Sequence, residues 1–115
     1  MQNLTITEWA EEDRPRERLE RLGAEALSNA ELLAILIGSG TPKMSAVELM
    51  KVVLAACHNN LNTLGKMSIK DLEGFKGIGP AKAITILAAC ELGKRRAREK
   101  AEIREDLGSE TAVYN

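Results

Sequence analysis

Aromatic residues and cysteines are scarce in this sequence, and both shortages limit what the protein can be. Its 115 residues include one Trp, one Tyr and one Phe, so a buried core must consist of Leu, Ile, Val, Ala and Met. The two cysteines, Cys57 and Cys90, have no neighbouring His or Cys at metal-ligand spacing. We expect buried free thiols in a reducing compartment, with a disulfide or a reactive thiol as the alternative.

Targeting and membrane signals are also absent. The N-terminus has no basic region followed by an apolar stretch, and no apolar run approaches the roughly 20 residues that span a membrane. These absences predict a cytoplasmic protein without a membrane partner.

The sequence contains no recognisable set of catalytic residues. It has no nucleophile elbow, no GxxxxGK[ST] loop and no acidic cluster at the spacing that holds catalytic magnesium. The single histidine, His58, follows an apolar helical run and has no ligand partner nearby. We therefore predict that these residues form no enzyme and bind no catalytic metal or organic cofactor.

Alternating β-branched runs are missing as well, whereas Ala and Leu are frequent. This composition predicts an all-α fold, a small helical bundle. Serines followed three residues later by an acid mark the starts of three helices, and Pro15 with Gly23 brackets another. The three serine–acid pairs are Ser28 with Glu31, Ser45 with Glu48, and Ser68 with Asp71.

These signals divide the chain into three parts. Residues 1–13 form an N-terminal arm that Trp9 anchors, residues 14–93 form the bundle, and residues 94–115 form a charged helical linker. Ser109 to Asn115 end without a closing device, so we expect a truncated part of a longer protein. The side chains expected to face the core in its later helices are Ala46, Val47, Leu49, Met50, Val52, Val53, Leu54, Ala56, Cys57, Leu61, Leu64, Met67, Ala83, Ile84, Ile86, Leu87, Ala88, Cys90 and Leu92.

The net charge of −1 conceals an uneven distribution. Residues 1–31 hold 8 acids and 4 bases, residues 32–75 hold 3 and 4, residues 76–100 hold 2 and 7, and residues 101–115 hold 4 and 1. Positive charge is therefore concentrated between residues 76 and 100, which suits a partner of negative charge there.

That basic segment begins at Gly77-Ile78-Gly79, a glycine-bracketed turn between a helix that ends near Phe75 and one that starts at Pro80. Glycine at 77 and 79 predicts positive φ and allows a ligand close to the backbone. Pro80 suits the first helical position, where an N–H would have no partner. We expect the N–H groups of Gly77, Gly79, Ala81 and Lys82, with the positive end of the helix dipole, to face one phosphate.

The pattern Leu72, Phe75, Gly77, Ile78, Gly79, Ala83 and Ile86 resembles the helix-hairpin-helix motif, here over residues 69–92. That resemblance implies DNA binding without sequence readout, an apolar plug at Ile78 and close helix packing at Ala83. Whether a monovalent cation sits on the hairpin carbonyls is left open by the sequence. The DNA-phosphate site would comprise Lys76, Gly77, Ile78, Gly79, Ala81 and Lys82.

A weaker similarity links residues 33–40 and Ala46 to the same motif. It predicts either a degenerate second hairpin at 38–46, which would contact the other DNA strand, or a chance coincidence. The basic run after Gly93 is either a solvated linker helix or a further phosphate contact. If the second hairpin and the phosphate contact by the basic run are real, the secondary DNA contacts are Ser39, Gly40, Lys43, Lys94, Arg95 and Arg96.

A wider resemblance covers nearly the whole chain. Residues 12–19, residues 27–40 and the hairpin through Glu91-Leu92-Gly93 resemble the N-terminal domain of the RadC family, also designated UPF0758. Members of that family carry a C-terminal JAB/MPN-type domain with a zinc-binding His-x-His signature, which this chain lacks. The resemblance implies a DNA repair protein whose hydrolase chemistry, and whose zinc, belong to the missing domain.

Two functions of different classes follow. The first is a sequence-independent module that binds duplex or branched DNA. The alternative is an interaction or scaffolding module that docks on the missing domain or on another protein, and the acidic isoelectric point favours it. A third possibility is a part that positions substrate for a metal-dependent hydrolase.

Overall fold

Six α-helices joined by short loops make up the described part of the chain. The computed structural model describes residues 14–109, and side chains as far as residue 101. Within this range there is no strand, so the predicted all-α class is confirmed. The expected arm with Trp9 and the last residues, 110–115, lie outside it. The helices are α1 (Pro15–Leu22), α2 (Asn29–Ile37), α3 (Ala46–Ala56), α4 (Leu61–Gly65), α5 (Ile69–Glu73) and α6 (Pro80–Ser109), with a 3-10 turn at Ala24–Ala26.

The three predicted capping boxes are present at the starts of α2, α3 and α5. In the first, Ser28 Oγ accepts from the Glu31 N–H at 3.1 Å, and Glu31 Oε1 accepts from the Ser28 N–H at 2.8 Å. The bond from the Ser28 N–H, with the Arg18 guanidinium as a smaller contribution, holds the pKa of the Glu31 carboxyl below its usual value. Each such cap stabilises a helix by about 1 kcal/mol, so local sequence sets where these helices begin.

Arg18 makes polar contacts between α1 and the rest of the molecule, and no residue of α1 is fully buried. Arg18 Nε lies 3.1 Å from Glu31 Oε2 as an ion pair without the alignment of a hydrogen bond. Arg18 Nη2 also donates to Ala26 O at 3.3 Å. Arg18 therefore connects α1 both to the 3-10 turn and to the start of α2.

One apolar core lies between α2, α3, α4, α5 and the first turns of α6. Both cysteines are free. Burial raises the pKa of the Cys57 thiol. Cys57 Sγ lies 3.4 Å from Met67 Sδ. Ala83 is fully buried, so its small side chain meets the core directly as α6 begins. The core residues are Ala30, Leu33, Ile37, Leu49, Met50, Val53, Leu54, Cys57, Leu64, Leu72, Ile78, Ala83 and Ile86.

Several side chains that the sequence placed in the core are exposed instead. In α6 the residues at 83, 86 and 90 share one face, because a helix repeats every 3.6 residues. Ile84 and Leu92 lie on the other face and are 53% and 68% exposed. Alternating apolar residues in the sequence do not show which face meets the bundle. The wrongly placed residues are Val52, Ala56, Leu61, Ile84, Ala88 and Leu92.

The last helix, α6, runs unbroken from Pro80 to Ser109 and passes straight through the predicted boundary at residue 93. Residues 91–101 are exposed along its length, as expected for a charged extension. No helix between residues 14 and 109 has both the length and the apolar character needed to cross a membrane.

Candidate nucleic-acid interface

Residues 74–79, called the 74–79 hairpin below, connect α5 to α6. The helix before it ends at Glu73, two residues earlier than the sequence predicts. The Ile78 N–H donates to Phe75 O at 3.0 Å, and the Ile78 side chain is only 4% exposed within the core. Ile78 is therefore part of the core, and its amide is already used within the hairpin and is not free for a ligand.

The two glycines of the hairpin differ in conformation. Gly77 has a φ of +98°, and a Cβ built on it would lie 2.5 Å from Thr41 Cγ2. Gly79 has no positive φ, and a Cβ there would meet nothing within 4 Å. The expectation of positive φ at both positions is therefore wrong for Gly79. Gly77 is required by the fold, whereas Gly79 opens onto free space.

No side chain between residues 14 and 101 caps the start of α6. Gly79 offers no side chain, Pro80 has no N–H, and the Ala83 N–H donates to Gly79 O at 3.0 Å. No acceptor from residues 14–101 reaches the N–H groups of Gly77, Gly79, Ala81 and Lys82. Helices α2, α3 and α5 use a serine for this purpose and α4 uses Asn60, whereas α1, which follows Arg14, has no side-chain cap either. Unpaired amides at the positive end of a long helix dipole suit an anion.

The lysines of this region have different surroundings. Lys76 is exposed on the hairpin, whereas Lys82 is half-buried. The Lys82 ammonium donates to Ser39 O at 2.7 Å and to Gly77 O at 3.3 Å. The Gly77 carbonyl oxygen belongs to the hairpin, where we considered a monovalent cation. It accepts a hydrogen bond from the Lys82 ammonium instead.

Residues 38–45, called the 38–45 loop, lie beside the hairpin but present fewer donors. Thr41 Oγ1 accepts from the N–H groups of Lys43 and Met44 at 3.1 and 2.9 Å, and Ser45 is in its capping box. The amides of Ser39 and Gly40 have no acceptor in the described chain. A Cβ on Gly40 would overlap Met44 O, so this glycine is needed for the turn itself.

The basic residues later in α6 lie apart from the hairpin. Lys94 follows Lys82 by twelve positions, which corresponds to about 18 Å along a helix. Arg95 Nε pairs with Glu91 Oε2 at 2.9 Å, and both side chains are exposed. The structure brings Lys76 to Lys82 together with Ser39 and Gly40, but it does not bring Lys94, Arg95 and Arg96 to the same place.

Two contacts at the site carry no signal in the sequence. Thr41 lies against Gly77, and Lys82 contacts Ser39 across a separation of 43 residues. The two residues of each pair are far apart in the sequence and belong to no common motif, so these contacts become visible only in the folded structure.

Fold and site together define a small all-helical domain in which no described side chain caps the start of the last helix. The chain belongs to the UPF0758 family, whose model, described as UPF0758 N-terminal, matches residues 6–84. The resemblance to that family is therefore confirmed.

Curated relatives agree with this assignment. The UPF0758 protein of Flavobacterium johnsoniae is 55% identical over 97 residues, which cover 84% of this chain and 42% of that protein. Those of Porphyromonas gingivalis and Staphylococcus aureus are 46% and 45% identical, over 96% of this chain and 49% of each relative. The chain thus spans about half the length of the relatives it matches. No solved structure matches it.

Proposed function

We propose that this domain binds DNA without reading its sequence and that a backbone phosphate sits on the start of α6. One observation carries the proposal: the amides of Gly77, Gly79, Ala81 and Lys82 have no acceptor from residues 14–101. The open space at Gly79 would let a phosphate approach them. Main-chain amides contact phosphate and not base edges, so such binding is independent of sequence.

Charge around the site supports an anionic partner. Lys76 is exposed beside the amides, and α6 continues into the basic run that holds Lys94, Arg95 and Arg96. Contact with two or three phosphates would give a log–log salt slope of about −2 to −3. With so few contacts, binding by this domain alone is weak and favours low salt.

The biological setting follows from the family resemblance and is part of the proposal. We propose that the domain acts in a cytoplasmic DNA repair protein and delivers duplex or branched DNA to the remaining half of the longer family members. These residues themselves act in binding, and any hydrolysis belongs to that other half.

The proposal is tested by titrating the isotope-labelled chain with a gapped duplex while following amide shifts at low and moderate salt. Shifts centred on residues 76–82 that disappear as salt rises are expected. Shifts elsewhere, or none at low salt, would contradict the proposal.

A matched pair of variants makes the test specific to the hairpin. Gly79→Val places a branched side chain where the phosphate would sit, and apart from the two adjacent residues no atom of the described residues lies within 4 Å of its Cβ. Gly93→Val makes the same change further along α6, where a Cβ also meets nothing within 4 Å. We expect affinity to fall roughly tenfold or more for the first, as for loss of charge-assisted hydrogen bonds, and to be unchanged for the second. Equal affinities would show that the hairpin is not the site.

A second candidate function is docking on the other half of the longer protein. An apolar groove of about 440 Å³ lies between α2, α4 and α6. Leu36 and Leu61 line it and are 41% and 46% exposed. The relatives extend to about twice the matched length, and Ala89, Gly93 and Ala97 of α6 also line the groove. The C-terminal half of the relatives is therefore the occupant that we propose.

A further inference from the structure

Lys82 stands at a position where a helix normally disfavours a cation. It is the third residue of α6, close to the positive end of the helix dipole. The first turns of α1, α2, α3 and α5 instead carry acids, namely Glu17, Glu31, Glu48 and Asp71. A lysine at this point needs a compensating partner, and the structure supplies two carbonyl oxygens.

Those carbonyls belong to different loops. The Lys82 ammonium donates to Gly77 O in the 74–79 hairpin and to Ser39 O in the 38–45 loop, at 3.3 and 2.7 Å. The same loops also touch where Gly77 faces Thr41, so closely that a Cβ on Gly77 would overlap the threonine methyl group. A single half-buried ammonium thus joins the two glycine-containing turns at the point where they meet.

We infer that Lys82 is a positioning residue that clamps the 38–45 loop to the 74–79 hairpin and so holds the hairpin amides in place. Its ammonium acts on carbonyls of the protein, whereas Lys76 supplies charge to the ligand. For DNA, this inference rests on the proposed function. The clamp itself is a property of the free protein and can be tested without DNA.

The first test measures amide hydrogen exchange of the free chain for Lys82→Met, which keeps the aliphatic stem and removes the ammonium. The reporters are the hydrogen-bonded amides of Thr41 and Ile78, one in each loop, with Val53 as a reference for global stability. Loss of the clamp should accelerate exchange at both reporters about tenfold relative to Val53, since local opening becomes easier. Lys76→Met is the matched control and should leave them unchanged. Unaltered exchange in Lys82→Met would overturn the inference.

The second test separates positioning from direct phosphate contact. A lysine that binds phosphate contributes about one unit to the salt slope, so Lys76→Met should reduce the slope by that amount. Lys82→Met should instead weaken binding at every salt concentration and leave the slope unchanged. A slope reduced equally by both variants would assign Lys82 to the ligand and overturn its positioning role. If the unaltered chain binds no DNA, the proposed function fails, while the exchange experiment still decides the clamp.

Discussion

At the scale of single residues, the two glycines of the hairpin show that one residue type serves two purposes. Gly77 is held in a left-handed conformation against Thr41 and Leu49, whereas Gly79 has neither constraint. The sequence predicts a tight turn from both glycines but cannot distinguish them, because the neighbour of Gly77 comes from a distant loop. The first glycine therefore belongs to the fold and the second to the candidate site.

This distinction predicts opposite effects on stability. Gly77→Ala must adopt an unfavourable φ and displace Thr41, so we expect the free energy of unfolding to fall by about 1–3 kcal/mol. Gly79→Ala should change it by less than about 0.5 kcal/mol, as for other unconstrained surface positions. Urea denaturation of both variants measures the difference. Similar unfolding midpoints for the two would contradict the roles assigned here.

At the scale of the elements, the helix starts differ in how their amides are satisfied. Capping boxes complete α2, α3 and α5 within four residues of sequence, which explains why these starts are predictable. The start of α6 lacks any such side chain, and Gly79-Pro80 already indicates this in the sequence. The sequence does not identify the buried face of α6, because Ile84 and Ile86 are both apolar and only Ile86 is buried in the core.

The two isoleucines give a matched test of that face. Ile86 is fully buried, so Ile86→Ala should lower the free energy of unfolding by about 2–5 kcal/mol through lost contacts and a cavity. Ile84 is 53% exposed, and Ile84→Ala should cost less than about 1 kcal/mol. Thermal and urea unfolding of the pair checks this order. A larger loss of stability in Ile84→Ala than in Ile86→Ala would mean that α6 packs on the bundle through a different face.

At the scale of the whole molecule, the hairpin and the apolar groove occupy different parts of α6. The amides of the candidate phosphate site lie at residues 77–82, up to the first turn of α6, whereas Ala89 and Gly93 line the groove further along. An anion at one place and a protein domain at the other would not compete for the same residues. The two proposed activities, DNA binding and docking, are therefore compatible within one domain, and variants can test each separately.

Docking predicts protection of the groove in the longer protein. Hydrogen exchange of the α4 amides is compared between this chain and a longer chain that adds the half of a relative that this chain does not match. We expect about tenfold slower exchange in the longer chain, and Leu36→Asp should abolish that protection. Val52→Asp is the control, because Val52 is similarly exposed, at 42% against 41%, and lies outside the groove lining. Identical exchange in the short and long chains would exclude the groove as the docking surface.

The sequence by itself determined the helical class, the starts of the capped helices and the absence of a cap on α6. These features depend on residues within three or four positions of one another, so local chemistry decides them. Tertiary structure alone decided which face of α6 is buried, why Gly77 tolerates no side chain, and that the Lys82 ammonium joins two loops. Those properties depend on contacts between distant segments, and such contacts exist only once the helices have packed.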